Sequence, residues 1–317
     1  MNERETEWRA VTDRKGLWYA FLAYAGWGLL PAYWNVFERM SPYELLSYRM
    51  VFSALTIWIW VALARRVRNV AGVMRDGRRA RLMALGSLMI TVNWLTFIVA
   101  VNTGHVVESS LGYYINPIVN VLLGLLLFRE RLDGWQWGAL TIAMAGVGIM
   151  MGAYGQVPWL ALALAGSFGL YGVVKKRVDA DAVQSLTWET TLALPLAAAY
   201  LAATFATHRV TITQLTSWQM ALLVLSGLFT AVPLLLFAMA AKRLSLATLG
   251  MVQYISPTLQ LVIGLAVDHE AFTRADAVGF ACIWMALALY TISLVRNERR
   301  HRHRPANCQA MSEAAKG

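Results

Sequence analysis

Apolar residues in this chain gather into long runs instead of alternating with polar ones. Charge-free stretches cover about residues 17–37, 82–104, 109–128, 135–152, 157–174, 215–241, 244–267 and 277–295. Two more runs of helical length carry charge: 43–64 contains Glu44 and Arg49, and 184–206 contains Glu189. A hydrocarbon core about 30 Å thick is crossed by roughly 20 apolar residues at about 1.5 Å rise each. The pattern therefore predicts an all-α membrane protein with ten transmembrane helices. The first run continues as Trp27-Gly-Leu-Leu-Pro-Ala-Tyr-Trp34 with no small-residue cleavage site behind it, so it reads as a retained helix.

Composition agrees, since 58% of the 317 residues are hydrophobic and 15% charged, more apolar surface than a soluble core hides. A net charge of +10 suits a nucleic-acid binder, but the placement of the charge removes that reading. Of the 28 Lys and Arg, four lie in the N-terminal tail, seven in 65–81, two at Arg129 and Arg131, three in 175–177, two at Lys242 and Arg243, and six after 295. With a cytoplasmic N-terminus all of these fall inside, leaving Arg39, Arg209 and Arg274 outside and Arg49 within a span. Cytoplasmic loops collect Lys and Arg. The asymmetry calls for an even number of spans, both termini cytoplasmic, and the lipid bilayer as partner. The run Arg299-Arg-His-Arg-His-Arg304 reads as a solvated stop-transfer tail, with an anionic-lipid or metal site as the competing reading. Cys282 and Cys308 are expected to be free thiols.

The chain also resembles itself. Tyr114-Ile-Asn-Pro117 recurs as Tyr254-Ile-Ser-Pro257, Gly124 as Gly264 and Glu130 as Glu270, each pair 140 residues apart, with six identities across 114–130 and 254–270. Asn93 and Pro233, like Phe97 and Phe237, keep the same spacing. Five spans per half is an odd number, so the second copy re-enters the membrane upside down. Two inverted five-helix repeats, 17–153 and 154–295, flanked by tails 1–16 and 296–317, are the expected organisation. This architecture places a substrate site near mid-membrane between the halves. Pro117, Pro233 and Pro257 lie inside charge-free runs and are expected to mark helix breaks, where a freed carbonyl needs a neighbour, a ligand or water.

Polar groups within a bilayer are costly and face a cavity or a partner. Arg49, Asn93, Asn116, Asn120, Glu189, Gln253 and Gln260 are such groups, and Trp27, Trp34, Trp94, Tyr113, Tyr114, Tyr171 and Tyr254 surround them in sequence. The expected substrate cavity comprises Arg49, Asn93, Trp94, Tyr113, Tyr114, Asn116, Tyr171, Glu189, Gln253 and Tyr254. Arg49 and Glu189 lie toward opposite membrane faces, each serving one gate or half-cavity, with Glu189 a candidate proton carrier. For Arg49, snorkelling or pairing with Glu44 or Glu108 is an equal alternative. Small residues at Gly26/Gly28, Gly134/Gly138, Gly146/Gly148 and Gly166/Gly169/Gly172 suit close helix approach. No phosphate-cradling G-x-x-x-x-G-K-[ST] loop occurs, and the five histidines show no HExxH or zinc spacing. No catalytic residue, metal or cofactor is therefore expected, and the chain does not read as an enzyme.

Several stretches carry a family resemblance: Gly124-Leu-Leu-Leu-Phe-Arg-Glu-Arg-Leu132, Asn93-Trp-Leu-Thr-Phe-Ile-Val-Ala-Val-Asn102, Leu111-Gly-Tyr-Tyr-Ile-Asn-Pro117, Phe168-Gly-Leu-Tyr-Gly172 and Gln253-Tyr-Ile-Ser-Pro-Thr258. Over about 16–295 the chain resembles the EamA group of the drug/metabolite transporter superfamily, and within it the RarD-like branch. The resemblance implies a permease of the bacterial inner membrane, exporting a small-molecule metabolite or drug-like compound from a central cavity. An uptake carrier for an amino acid or related metabolite and, in a different class, a non-transporting membrane-embedded enzyme are the alternatives. The second half departs from the family's Gly-Glu-Arg loop, having Asp268-His-Glu-Ala271.

Overall fold

The structure, a computed structural model, describes residues 13–207, 211–266 and 273–314, and from 298 onward the backbone alone. Glu270 and the Asp268–Ala271 loop lie outside the described residues, as do the side chains of the basic tail. The described chain is helical, without a strand. In order the α-helices are α1 (Arg14–Trp34), α2 (Pro42–Leu63), α3 (Val67–Val73), α4 (Gly77–Asn102), α5 (Val106–Phe128), α6 (Gly134–Tyr154), α7 (Trp159–Arg177), α8 (Ala182–Ala206), α9 (Ser217–Ala241), α10 (Leu246–Gln253), α11 (Ile255–Ala266) and α12 (Arg274–Ala314). Among the described residues eight segments are long and apolar enough to cross a membrane, the α10–α11 pair counting as one. The helices α1 and α7 fall outside that set; α1 is rich in Trp and Tyr, and α7 ends in Lys175-Lys176-Arg177.

The exterior is as apolar as the sequence suggests. Leu126 is 75% exposed, Trp159 72% and Ile59 58%, a surface suited to lipid rather than water. Lipid tails are as apolar as the helices, so the helices associate through close packing and directed polar contacts. Glycine permits the tightest of these. A Cβ at Gly227 on α9 would fall 2.3 Å from the backbone carbonyl of Phe52 on α2, and one at Gly250 on α10 would fall 2.7 Å from the Pro117 carbonyl on α5. Gly28, Gly146 and Gly169 also make close approaches, whereas Gly134, Gly138, Gly148 and Gly166 have nothing within 4 Å. Sequence spacing alone did not separate the two groups, because it does not say which helix face meets a neighbour.

Packing joins distant parts of the chain. Helix α1 lies against α9 and α11, and α7 against α4 and α5; α2 packs on α9 and α8, α8 also on α4, α5 on α10, and α6 on α12. Capping sets the helix ends. Asp133 and Asp181 form capping boxes with Gln136 and Gln184 at the starts of α6 and α8. Burial raises the Asp133 pKa, but donors from Ser293, the Gln136 amide and Asn297 outweigh it and hold the carboxyl below its ordinary value.

The prolines behave differently from expectation. Helices α5 and α9 run unbroken through Pro117 and Pro233. One proline removes one donor, and the turns on either side keep their bonds. The interruption falls at Tyr254, three residues before Pro257, where α10 gives way to α11.

Glu130 ties two distant segments together. Its carboxylate accepts from the Leu246 and Ala247 amides at 2.7 and 2.9 Å, satisfying the free N–H groups at the start of α10, and pairs with Lys176 at 3.0 Å. Glu130→Ala is expected to lower stability by about 2 kcal/mol, the upper range for a lost N-terminal cap, and Glu130→Gln by about half that. Thermal unfolding of the purified variants in detergent micelles measures this, and an unchanged midpoint for Glu130→Ala would show the cap to be energetically idle.

Candidate functional site

Inside the bundle, α7 and α8 bring an ion pair together in full burial. Lys175 Nζ lies 2.6 Å from Glu189 Oε2, with the two side chains 0% and 2% exposed. Helical spacing builds the surroundings. Tyr171 precedes Lys175 by four residues, so both project from one face of α7, and its hydroxyl donates to Glu189 Oε2 at 3.1 Å. Ser185 precedes Glu189 by four on α8; its hydroxyl donates to Glu189 Oε1 at 2.7 Å and accepts from Lys175 at 2.9 Å. Each charge thus has its opposite and at least one hydrogen bond, the condition for carrying a buried pair. Gly86 on α4 leaves the room: a Cβ there would sit 2.9 Å from Glu189 Oε1. Just beyond α9, Lys242 donates to the Val178 and Ala180 carbonyls. Burial and then the nearby Lys175 lower its pKa from the ordinary lysine value, against Asp179 and Asp181, which raise it.

Glu189 borders a small space with room for about one water molecule. Five helices line it: Met50 and Ser53 from α2, Ile90 and Trp94 from α4, Tyr171 from α7, Leu186, Glu189, Thr190 and Ala193 from α8, and Leu234 from α9. Ser53 is fully buried and its hydroxyl has no hydrogen-bond partner among the described residues. Below it stands an aromatic stack: Tyr171 lies parallel to Phe237 with centroids 5.6 Å apart, and Phe168, Trp27 and Tyr24 continue the cluster.

Of the ten residues expected in the cavity, Trp94, Tyr171 and Glu189 line this space. Arg49 stands apart from Glu189. Its guanidinium lies 4.1 Å over the Trp34 ring, and Nε makes a long hydrogen bond of 3.4 Å to Thr230. The pairing alternatives for Arg49 are not realised. Glu44 accepts from the Thr211 and Ile212 amides, and Glu108 from the Leu160 amide and the Tyr154 hydroxyl. Tyr113 packs against Phe97 with centroids 6.1 Å apart. Asn93 clamps α4 to α7, donating to the Leu164 carbonyl and the Ser167 hydroxyl. The remaining four lie at the α5–α10 contact. The Tyr254 hydroxyl donates to the Tyr114 carbonyl, and Gln253 accepts at 2.8 Å from Asn120, which also reaches Asn116 at 3.4 Å. Sequence reasoning missed Lys175, Ser185 and Ser53. The four-residue spacings 171/175 and 185/189 were the available signal for the first two. Among the described residues no cluster of three His, Cys, Asp or Glu is placed to hold a metal.

Contacts between helix ends tie the bundle together. At the end carrying the basic loops, Arg66–Asp181 at 2.5 Å, Arg79–Asp179 at 2.5 Å, Lys176–Glu130 at 3.0 Å and Arg243–Asp13 at 3.1 Å bridge segments far apart in sequence. At the other end Tyr33 donates to the Leu222 carbonyl, Gln219 to the Val36 carbonyl, and the Thr211 amide to Glu44. A paired charge buried where five helices meet, inside an apolar exterior, is compatible with a membrane transport protein, and comparison with known proteins decides the family. The EamA-like transporter family model matches residues 14–152 and again 157–292. The chain belongs to the EamA-like transporter family. An uncharacterized transporter of Vibrio cholerae is 43% identical over 280 residues, covering 88% of this chain and 92% of that protein. The uncharacterized transporter YojE of Bacillus subtilis is 42% identical, covering 90% and 96%. Protein RarD of Escherichia coli K12 is 36% identical, covering 92% and 98%, and with the RarD of Streptomyces exfoliatus at 38% marks this family member as RarD-like. A solved crystal structure with 20% identity superposes with a TM-score of 0.68 over 88% of this chain and 98% of that one, a likeness of fold. The protein is thus a multi-pass membrane transporter of the drug/metabolite type.

Proposed function

We propose that this transporter is a secondary carrier exporting a small organic metabolite or drug-like compound by alternating access, with Glu189 carrying the coupled proton. Its ten spans form two inverted five-helix repeats, 17–153 and 154–295, with both termini cytoplasmic in the bacterial inner membrane. The observation that carries the reading is the buried Lys175–Glu189 pair, whose carboxylate lines a small space where five helices from both halves of the chain meet. Such a charge has a function in a membrane interior, where structure alone is served more cheaply by apolar side chains.

The repeat has three supports: the 140-residue offset, the double match of the family model, and the symmetry of the packing. Inverting the halves turns the α1–α9 contact into α7–α4, α1–α11 into α7–α5, and α2–α9 into α8–α4, and all six are present. The space at the centre is too small for a metabolite, whose sites measure about 300–1,000 Å³. On this reading the contacts between helix ends on one side or the other must part to load the site.

Counterflow in proteoliposomes tests this function. Vesicles preloaded in turn with unlabelled amino acids, nucleosides or chloramphenicol should accumulate the labelled form of at least one class. An imposed proton gradient should then drive that solute in the direction of export. Absence of counterflow for every class tested would overturn the carrier reading, and an unaltered pH dependence in Glu189→Gln would remove its proton role.

A further inference from the structure

Among the described residues the charges inside the bundle are compensated, with one exception. Glu189 has Lys175; Glu130 has Lys176 and two amides; Glu44 and Glu108 have main-chain donors. Arg49 is inside the bundle, half-buried, and no carboxylate among the described residues lies within ion-pair distance. Its one hydrogen bond among the described residues is the long Nε contact to Thr230, so its terminal nitrogens have no acceptor there. The Trp34 ring offsets part of the charge by a cation–π contact. The phenols of Tyr33 and Tyr113 lie close enough to interact with it electrostatically; the Tyr33 hydroxyl is engaged with Leu222, while that of Tyr113 has no hydrogen-bond partner among the described residues.

Helix register places this cation one turn from that space. Ser53, with its unpartnered hydroxyl, follows Arg49 by four residues on α2, and Leu234 follows Thr230 by four on α9; both line the space. The one charged residue in the lining, Glu189, is neutralised by Lys175, while the uncompensated guanidinium of Arg49 belongs to the turn of α2 that precedes Ser53. A guanidinium is weakly hydrated and presents a planar fork matched to carboxylate and phosphate oxygens.

We infer that Arg49 is the anion-binding group of the substrate site and that the solute is an organic anion, a carboxylate or phosphate on an apolar or aromatic body. The Tyr113 hydroxyl supplies a second donor to the anion, and Met50, Trp94 and Leu234 receive the body. This inference rests on the carrier reading for the site's use, but binding can be measured without transport.

The test uses the full chain in phosphatidylcholine nanodiscs, with 3-phenylpropanoate, its amide and 3-phenylpropylamine as probes, read by calorimetry and thermal shift. The carboxylate should bind wild type at least tenfold more tightly than the amide or the amine. Arg49→Gln should lose that preference tenfold or more, and Arg49→Lys should keep part of it. Tyr113→Phe should weaken carboxylate binding about threefold with an unchanged unliganded melting temperature, which guards against Arg49→Gln simply failing to fold. A carboxylate no better than its amide on wild type, or bound equally by Arg49→Gln, overturns the inference. So does a stabilisation by phosphatidylglycerol discs that requires Arg49 and displaces the probe, since the anion would then be a lipid headgroup. Counterflow of an uncharged or cationic solute would sink the anion class and leave the carrier standing. Carboxylate binding without any counterflow would do the reverse.

Discussion

Glu189→Gln is expected to destabilise the protein by about 3–5 kcal/mol, because it leaves the Lys175 ammonium without its counter-charge. Lys175 has no exposed surface on which to find another. Lys175→Met alone should cost a similar amount through the stranded carboxylate, although the Tyr171 and Ser185 hydroxyls still donate to it. The double variant Lys175→Met/Glu189→Gln removes both charges and should recover most of the loss, since neutral replacements of a buried pair are often tolerated. Transport should not recover with it. Unfolding of the four proteins in micelles gives the coupling between the two sites. Losses that simply add would show that the pair does not act as a unit, and recovery of transport in the double variant would make the charges structural.

Gly227→Ala carries the next largest effect. The new methyl would meet the Phe52 carbonyl carbon and oxygen at 2.3 Å. Backbone cannot swing aside as a side chain can, so α2 and α9 must separate along a contact that positions Met50, Ser53 and Leu234. Overpacking of this kind costs about 1–3 kcal/mol. Gly138→Ala on α6, with nothing within 4 Å, is the matched control and should be neutral or slightly stabilising. Equal unfolding midpoints for the two alanine variants would contradict the packing at Gly227.

Much of the fold was legible because lipid imposes a long apolar period that loops cannot imitate. The runs at 109–128 and 135–152 became α5 and α6, longer by a few residues that cap or extend the ends. The site was legible in part. Glu189 stood out as a lone carboxylate in an apolar run. Its partner did not, because Lys175 adjoins Lys176 and Arg177 and was counted with the basic loop. About 100° of rotation per residue separates them: Lys175 turns inward to Glu189, Lys176 reaches Glu130, and Arg177 is exposed beside the Phe128 ring. Asn93 illustrates the opposite limit. A polar side chain in lipid can serve a cavity or another helix, and this one joins α4 to α7. Residue type alone does not distinguish the two, since both satisfy the same hydrogen-bonding need.

Alternating access is tested most directly at Ser53, which lines the space beside Glu189 and is fully buried. A Ser53→Cys variant, with Cys282 and Cys308 replaced, is to be labelled by a membrane-impermeant thiol reagent in right-side-out and inside-out vesicles. The carrier account predicts labelling from both sides, each at a rate changed by a transported solute. Labelling from one side alone, or from neither, would contradict it.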